Sequence, residues 1–406
     1  MNNRIVPYLT KYIRRQSGFT LLELMIALAL ALVIISGVAV VVSQAVKNNR
    51  LLSTQVEIQN NIHIIHNRLG LIFKNAMSSP CGHLEAMLAS ENNPTTSHLK
   101  RAYKLRAGRE VAQHVGKVVM PQSPLLPSTD ATTIRQQDFP LFLIGIAGHP
   151  GEPKDAAGQP LSNSLPSIVK GSEYFIAMDL PDKLLLDSNH AGLSSVRDVH
   201  GGTDAGAAIK TTQIAKRLRG KKSVPWIITD CQQGTVFLSS ADEGIDTSHN
   251  IIPVDNDLLF AHGYRDGETL LSSIEVYAYY LSRSKNEAQN NLSRFNLLWK
   301  KKAQAQRLMG GVKAMTFEWG LGKPDRGMLQ AYFDTPTLMN HTADTMDHID
   351  QAFIRQHLIN VRVTLTVEGY HDDNHYKIGS DKSGKAINLS KTVQHTYTIR
   401  SHMSRL

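Results

Sequence analysis

An unbroken apolar run at residues 19–42 constrains this chain more than any other feature. The run contains one ionisable side chain, Glu23, and no proline. An α-helix rises about 1.5 Å per residue, so a run of this length can cross a hydrocarbon core of ~30 Å. The sequence therefore predicts a transmembrane helix over about residues 19–42.

The charges before the run predict its orientation. Residues 1–18 contain no acid and four cations, namely Arg4, Lys11, Arg14 and Arg15. The positive-inside rule keeps such a segment in the cytoplasm, so the chain after the helix is expected outside it. A secretory signal peptide would have a shorter apolar core with a small-residue cleavage site directly after it, and no such site follows residue 42.

The boundary between the cationic segment and the apolar run carries the motif Gly18-Phe19-Thr20-Leu21-Leu22-Glu23-Leu24-Met25. This motif resembles the class III signal of bacterial type IV pilins and type II secretion pseudopilins. The resemblance implies that prepilin peptidase cleaves after Gly18 and that Phe19 becomes the N-methylated first residue of the mature chain. It also implies that Glu23 meets the N-terminal amine of an adjoining subunit during assembly.

A physical argument agrees with an assembly role for Glu23. A charged side chain in a membrane helix costs about 2.5–3.5 kcal/mol on insertion scales, so it is rarely kept without a partner. The amine of a neighbouring subunit would neutralise this charge. The alternative is an ordinary signal anchor in which Glu23 lies at the headgroup boundary.

Hydrophobic spacing predicts that the helix continues beyond the membrane, so that a stalk helix covers residues 19–77. The apolar residues that recur at intervals of three and four are Ile58, Ile62, Ile65, Leu69, Ile72 and Ala76. Ser78-Ser79-Pro80 is expected to end the helix.

Residues 78–406 predict a β-rich periplasmic head, and the fold class is therefore α+β. The predicted strands are 141–146, 173–178, 226–229, 235–238, 274–281, 297–301, 315–319, 361–367 and 393–399. A turn at 286–291 would make 274–281 and 297–301 a hairpin. The stretches 91–130 and 148–167 are rich in loop-forming residues and are expected to be loop insertions.

The two cysteines, Cys81 and Cys231, predict a disulfide, because the expected compartment is the oxidising periplasm. Closing a loop of about 150 residues adds at most roughly 5 kcal/mol in the chain-entropy description. The alternative is a pair of unpaired buried thiols.

Scattered features of the second half resemble the PilW family of minor pilins. They are Cys81 after the stalk, Thr229-Asp230-Cys231 before Gly234-Thr235-Val236-Phe237, the hairpin-like region 277–302, Gly311-Val312-Lys313-Ala314-Met315, and the C-terminal strand before residues 400–406. The resemblance implies a protein that primes type IV pilus assembly in the inner membrane and ends at the pilus tip. Its implied partners are prepilin peptidase, other minor pilins, the major pilin and a tip adhesin. The pilus-dependent processes that it would support are twitching motility, adhesion or DNA uptake.

The sequence gives no reason to expect an enzyme or a cofactor. It lacks a Gly-x-Ser-x-Gly elbow, a His-Glu-x-x-His motif, a Cys-x-x-Cys motif and a complete Walker A loop. His63 and His66 lie three apart on the stalk, but they are expected to be partly exposed helix residues and not metal ligands. His371-Asp372-Asp373-Asn374-His375 is expected to be a polar turn and fits no standard calcium loop.

The formal net charge of +9 falls to +5 for residues 19–406 when the four leader cations are removed. Two basic clusters are candidate DNA contacts: Lys100, Arg101, Lys104, Arg106 and Arg109 form one, and Lys216, Arg217, Arg219, Lys221 and Lys222 form the other. No aromatic stacking platforms are interleaved with them, so solvated loops or contacts with an acidic subunit are the favoured interpretation.

Two other functions stay open beside the minor pilin. A type II secretion pseudopilin has the same signal and helix but supports protein export. A pilus-displayed binding module would use the stalk only to present a head that grips DNA or a surface ligand.

Overall fold

The computed structural model describes residues 20–76, 78–79, 82–83, 99–101, 103–106, 109–112, 142–154, 158–182, 184–186, 208–254, 258–259, 264, 269–283, 289–297, 305–323, 328–340, 354, 357–369, 377–380 and 386–399. The chain forms two compact units, Met1–Val56 and Glu57–Leu406. The long helix α1, Leu21–Asn75, contributes to both of them. The predicted stalk at residues 19–77 is therefore confirmed as a helix over nearly its whole length.

The rest of the described chain is dominated by strands, as predicted. The short helix α2 is Thr335–Asn340, and 3-10 turns occur at Leu161–Ser164 and Lys216–Leu218. The strands are β1 Ser78–Ser79, β2 Gly82–His83, β3 Leu99–Arg101, β4 Tyr103–Arg106, β5 Arg109–Ala112, β6 Phe142–Ile146, β7 Glu173–Asp179, β8 Leu184–Leu185, β9 Ala208–Lys210, β10 Pro225–Thr229, β11 Gly234–Leu238, β12 Ile251–Pro253, β13 Leu258–Leu259, β14 Leu270–Ser273, β15 Glu275–Ser282, β16 Asn291–Asn296, β17 Gln306–Gly310, β18 Val312–Lys323, β19 Met328–Asp334, β20 Leu358–Glu368, β21 Lys377–Ser380, β22 Ala386–Asn388 and β23 Ser390–Thr398.

Three sheets of four or five strands organise the second unit. The first sheet has the order β17-β16-β15-β7-β6, the second β19-β18-β20-β23, and the third β3-β11-β10-β14-β8. Their pairings are antiparallel except that of β3 with β11. The molecule is thus an α+β protein with a long N-terminal helix and a β-rich head.

Residues 57–75 of α1 bury one face in the core of the head. The buried side chains are Ile58, Ile62, Ile65, Leu69 and Phe73, at the spacing of one helical face. The ring of Phe73 stacks on Phe175 of β7, with a centroid distance of 4.8 Å, and on Tyr397 of β23, at 5.5 Å. Phe73 was not part of the predicted stripe, and Ile72, which was, is only partly buried. This segment of the helix therefore packs against both the first and the second sheet.

The third sheet is buried on both of its faces. Side chains alternate across a strand, so Ile227 and Val236 join the core that includes α1, whereas Trp226 and Phe237 point into a second core. This second core is closed by β9 and β12, which contribute Ile209 and Ile252. The described residues of the head are consequently built around two hydrophobic cores that share one sheet.

The structure corrects two predictions about the β region. The hairpin partner of β15 is Asn291–Asn296 and not 297–301, because the connecting turn ends before residue 291. The stretch 91–130 contains β3, β4 and β5, so it is not only loop. The other eight predicted strands overlap observed ones, and the described residues of 148–167 form turns with one 3-10 segment.

Candidate processing and assembly site

The first turn of α1 holds the carboxylate that the sequence singled out. Thr20 precedes the helix and Glu23 is its third residue. The Thr20 N–H and the Thr20 hydroxyl each donate to Oε2 of Glu23 at 3.1 Å, and the Glu23 N–H donates to Oγ1 of Thr20 at 3.3 Å. This reciprocal pattern is a capping box, which satisfies N–H groups that a helix start leaves without intrahelical partners.

The capping box gives Glu23 a partner within its own chain, which the sequence analysis did not foresee. The carboxylate also lies at the positive end of the helix dipole, where an anion is favoured. Both described hydrogen bonds to the carboxylate use Oε2, and within the described residues Oε1 accepts none. Among the described residues, the capping box therefore uses one oxygen of the Glu23 carboxylate, Oε2.

Gly18 and Phe19, the predicted cleavage position and mature first residue, lie outside the described residues. Thr20 was the residue missed at this site. Its signal was present, because a Ser or Thr three positions before a Glu at the head of an apolar run is a capping-box pattern.

The helix that follows is apolar and its side chains are exposed from Leu21 to Ser53. By length and composition α1 can cross a membrane. The helix continues without interruption through Ser36-Gly37. The Ser36 hydroxyl donates to the Val33 carbonyl at 2.8 Å, so this polar group is satisfied inside the helix, as a hydrocarbon environment requires.

Cys231 occupies the tight turn between β10 and β11 with a left-handed backbone, at φ 72°. The Cys231 N–H donates to the Thr229 hydroxyl at 3.1 Å, and the Gln233 N–H donates to Oδ1 of Asp230 at 2.8 Å. No cysteine in the described part of the chain is a free thiol. Cys81 lies outside that part, and the pairing of the two cysteines stays a prediction.

The first basic cluster lies on β3, β4 and β5, and its side chains are outside the described part of the structure. Lys100 and Arg101 belong to β3, Lys104 and Arg106 to β4, and Arg109 to β5. The pairing of β4 with β5 brings the backbones of Arg106 and Arg109 opposite each other. DNA contact by this cluster stays a prediction.

In the second basic cluster, Arg217 lies at the surface of the head and pairs with two buried acids. Its guanidinium donates to Oδ2 of Asp182 at 2.8 Å and to Oε1 of Glu275 at 3.2 Å, and both carboxylates are buried. Burial by itself would lower the pKa of Arg217, but the hydrogen bonds and charges of Asp182 and Glu275 raise it. Arg217 is therefore engaged as the counter-ion of two buried acids.

The other members of this cluster also lie at or near the surface of the head. Lys216 and Arg219 are exposed, as Arg217 is, Lys221 is half-buried, and the ammonium of Lys222 donates to the backbone carbonyl of Asp242. The predicted basic surface therefore has fewer side chains available for a phosphate than its sequence indicates. DNA contact by the exposed members stays a prediction.

One of the two stalk histidines, His66, lies near a third histidine, His395, and sequence spacing does not connect the two. Nδ1 of His66 is hydrogen-bonded to the Tyr397 hydroxyl, and its ring centroid lies 4.7 Å from that of His395 on β23. Burial, followed by the charges of His395 and His63, lowers the pKa of His66. The described residues contain no group of three ligating side chains arranged to hold a metal, and 371–375 lies outside them.

Comparison with known families identifies one matching segment. Residues 13–39 match the family model described as the prokaryotic N-terminal methylation motif. Neither the curated proteins nor the solved structures include a match to the chain. The matched segment contains the predicted cleavage position, the capping box and most of the apolar run. The motif and the apolar helix together support a type IV pilin-like or pseudopilin-like protein that prepilin peptidase processes and that is anchored in a membrane.

Proposed function

We propose that this chain is a minor pilin of the PilW kind, which primes assembly of a type IV pilus and remains in the tip complex. The observation that carries the proposal is the methylation motif at residues 13–39 with the Glu23 carboxylate at its centre. A processing signal, an extractable apolar helix and an acceptor for a subunit amine are the three parts that such a role needs.

Maturation and docking use different residues of the same short segment. Cleavage after Gly18 by prepilin peptidase would leave Phe19 as the N-terminal residue. Thr20 and Glu23 would both remain in the mature chain, so the capping box survives cleavage. Oε1 of Glu23 would then receive the cationic amine of an adjoining subunit, and the pairing would remove the charge from the hydrocarbon.

The architecture of the head supports a terminal position and not a repeated one. The described part of the head contains two hydrophobic cores and three larger sheets. Bulky heads are difficult to repeat along a tightly wound filament, whereas a tip complex needs each of them once. A disulfide between Cys81 and Cys231 would stabilise this head in the periplasm.

A clean deletion of the gene tests the proposal when surface pili and exported type II substrates are measured in the same strain. We expect few or no pili and normal export, with pili restored by the wild-type gene in trans. Lost export with normal pili would make the protein a pseudopilin. Normal pili and normal export would contradict both assembly roles and favour a displayed binding module.

Processing has a separate test in the mass of the mature protein. Gly18→Leu should leave the leader attached, because the peptidase requires the small residue before its cleavage position. Thr20→Ala is the matched control, since it lies beyond the cleavage position and should be processed normally. A Gly18→Leu protein that still shows the mature mass would contradict the assignment of the cleavage site.

A further inference from the structure

The strand β23 forms an edge of the second sheet. It pairs with β20 over nine consecutive residues, from Asn360 opposite Thr398 to Glu368 opposite Ser390, without a register shift. Its other edge pairs with no strand in the part of the chain that the structure describes. This is a long, regular edge of the kind that can accept another strand.

The register determines which backbone groups the free edge presents. The Ile399 N–H donates to the Ile359 carbonyl at 3.0 Å, so this is a hydrogen-bonded pair of the antiparallel ladder. Pairs alternate along such a ladder, and the odd-numbered residues of β23 therefore point their N–H and C=O groups at β20. The even-numbered residues Thr392, Gln394, Thr396 and Thr398 point theirs outward.

The other long edges of the described sheets are protected. The β17 edge is bulged, and the carbonyl of its Leu308 accepts a hydrogen bond from Arg68 at 2.9 Å. The β19 edge is bulged beside Leu321, and β6 contacts α2. The β23 edge has neither a bulge nor a proline, and its single cation, Lys391, lies near its first residue. Natural proteins commonly block such edges unless they use them.

We propose that the outer edge of β23 binds one extended strand of a neighbouring pilin-like subunit. The inference rests on the proposed function, which brings another subunit alongside the head. Side chains of the incoming strand would be polar beside Thr392 and Thr396, and apolar beside Val393 and Tyr397, because neighbours on one face of a sheet match in character.

Charge indicates that the incoming strand belongs to a different chain. β23 contains Lys391 and no acid. A second copy of the same strand would add another lysine and no anion, whereas a strand with an Asp or Glu near Lys391 would form a favourable cross-strand pair. The partner is therefore an extended, weakly acidic segment, and not a second copy of this chain.

Proline substitution at an outward-facing position tests the edge without breaking the sheet. Thr396→Pro removes an outward N–H, while the hydrogen bonds between β23 and β20 use the odd-numbered residues. The matched control is Thr396→Val, which keeps the N–H and nearly the same shape. Each variant is expressed as the full chain in the deletion strain.

We expect Thr396→Pro to lower the number of surface pili about tenfold, since an unpaired buried partner group weakens association by about that factor. Thr396→Val should restore normal pili. The midpoint temperature of thermal unfolding, measured on the full-length protein in detergent, should be the same for both variants. If the proline variant unfolds, Thr396→Glu decides the question, because it places a like charge beside the acidic partner strand and leaves the backbone unchanged.

Normal pili in strains with the folded proline variant and with the Thr396→Glu variant would overturn the edge proposal. That result leaves the proposed function standing, because it would show full rescue of a real deletion defect. A deletion strain with normal pili would instead contradict the proposed function. A photo-crosslinker at position 396 identifies the partner: an adduct with another pilin-like subunit is expected, and an adduct with a second copy alone would overturn the choice of partner.

Discussion

The two parts of α1 differ in how their apolar side chains are covered. In residues 21–53 the side chains are exposed, including large apolar ones such as Leu32, at 66% exposure. In residues 57–75 one face is buried in the head, and Phe73 is fully covered. The first part needs a lipid or a subunit to cover its apolar surface, whereas the apolar face of the second part is covered by the strands of the head. The N-terminal part of α1 is thus the proposed assembly end of the helix, and residues 57–75 are its stability end.

Removing the carboxylate at the assembly end should give the largest functional effect. Glu23→Ala should reduce surface pili to near zero while leaving the stability of the head unchanged, because the described hydrogen bonds of Glu23 all lie within the first turn of α1. Pili are counted in the complemented deletion strain. Membrane insertion should be retained, because the substitution makes the helix more apolar.

Thr20→Val separates docking from helix capping. This variant loses the hydroxyl of the capping box but keeps the Glu23 carboxylate. Loss of a cap destabilises a helix start by about 0.5–2 kcal/mol, which is small beside the packing of a long helix. Pili should therefore be mostly retained. Equal loss of pili in both variants would indicate that Glu23 acts through the cap and not through a neighbouring subunit.

Substitutions on the buried face of residues 57–75 should instead change the stability of the head. Phe73→Ala should lower the free energy of unfolding by about 3–5 kcal/mol, since it leaves a cavity among Phe175 and Tyr397. Leu71→Ala on the exposed face of the same segment is the matched control and should change it by less than about 0.5–1 kcal/mol. Denaturant unfolding in detergent, followed by the near-UV signal of the buried Trp226 and Trp319, measures both. Similar losses would contradict the assignment of the buried face.

Substitution of Arg217 tests whether this residue stabilises the head through its ion pairs or binds DNA at the surface. Arg217→Met should destabilise the protein by about 1–3 kcal/mol, because Asp182 and Glu275 would stay buried without their counter-ion and Arg217 itself is only partly buried. Lys216→Met, on the exposed neighbour, should leave stability unchanged. A variant with wild-type stability but weaker DNA binding would favour the surface role.

The N-terminal features were predictable because each depends on local sequence alone. Apolar length predicted α1, and spacing predicted most of its buried face. Phe73 was missed because helical spacing does not decide between Ile72 and Phe73, and the choice is made by contact with Phe175. The capping box was also local, and its pattern could have been recognised around Thr20.

Long-range pairing was the part that the sequence could not supply. Arg217 looked like one cation of a basic run, yet its partners are 35 and 58 residues away along the chain. The partner strand of β15 was placed six residues too late, because turn-forming residues extend across its true start at Asn291. The free edge of β23 depends on which strands meet in space, and no local pattern contains that information.

The smallest predicted effect concerns His66, at the junction between α1 and β23. The charged groups near it are His63 on α1 and His395 on β23, with Lys391 further along the same face of β23, and the Tyr397 hydroxyl is its hydrogen-bond partner. In the unfolded chain a histidine has a pKa near 6.5, and the folded environment lowers the pKa of His66. At pH values between the lowered and the ordinary pKa the unfolded state binds more protons, so stability rises with pH there.

The contribution of neutral His66 to the free energy of unfolding should therefore be complete above about pH 6.5. It should decrease as the pH falls through the lowered pKa of His66. His66→Gln should flatten this part of the stability profile, because glutamine cannot be protonated but can still hydrogen-bond to Tyr397. His63→Gln removes only the more distant and exposed imidazole and should flatten the profile less. Thermal unfolding of the three proteins between pH 7 and pH 5 measures the difference. If His66→Gln keeps the full acid sensitivity of the wild type, the junction does not titrate through His66, and the stability end of α1 holds β23 by packing alone.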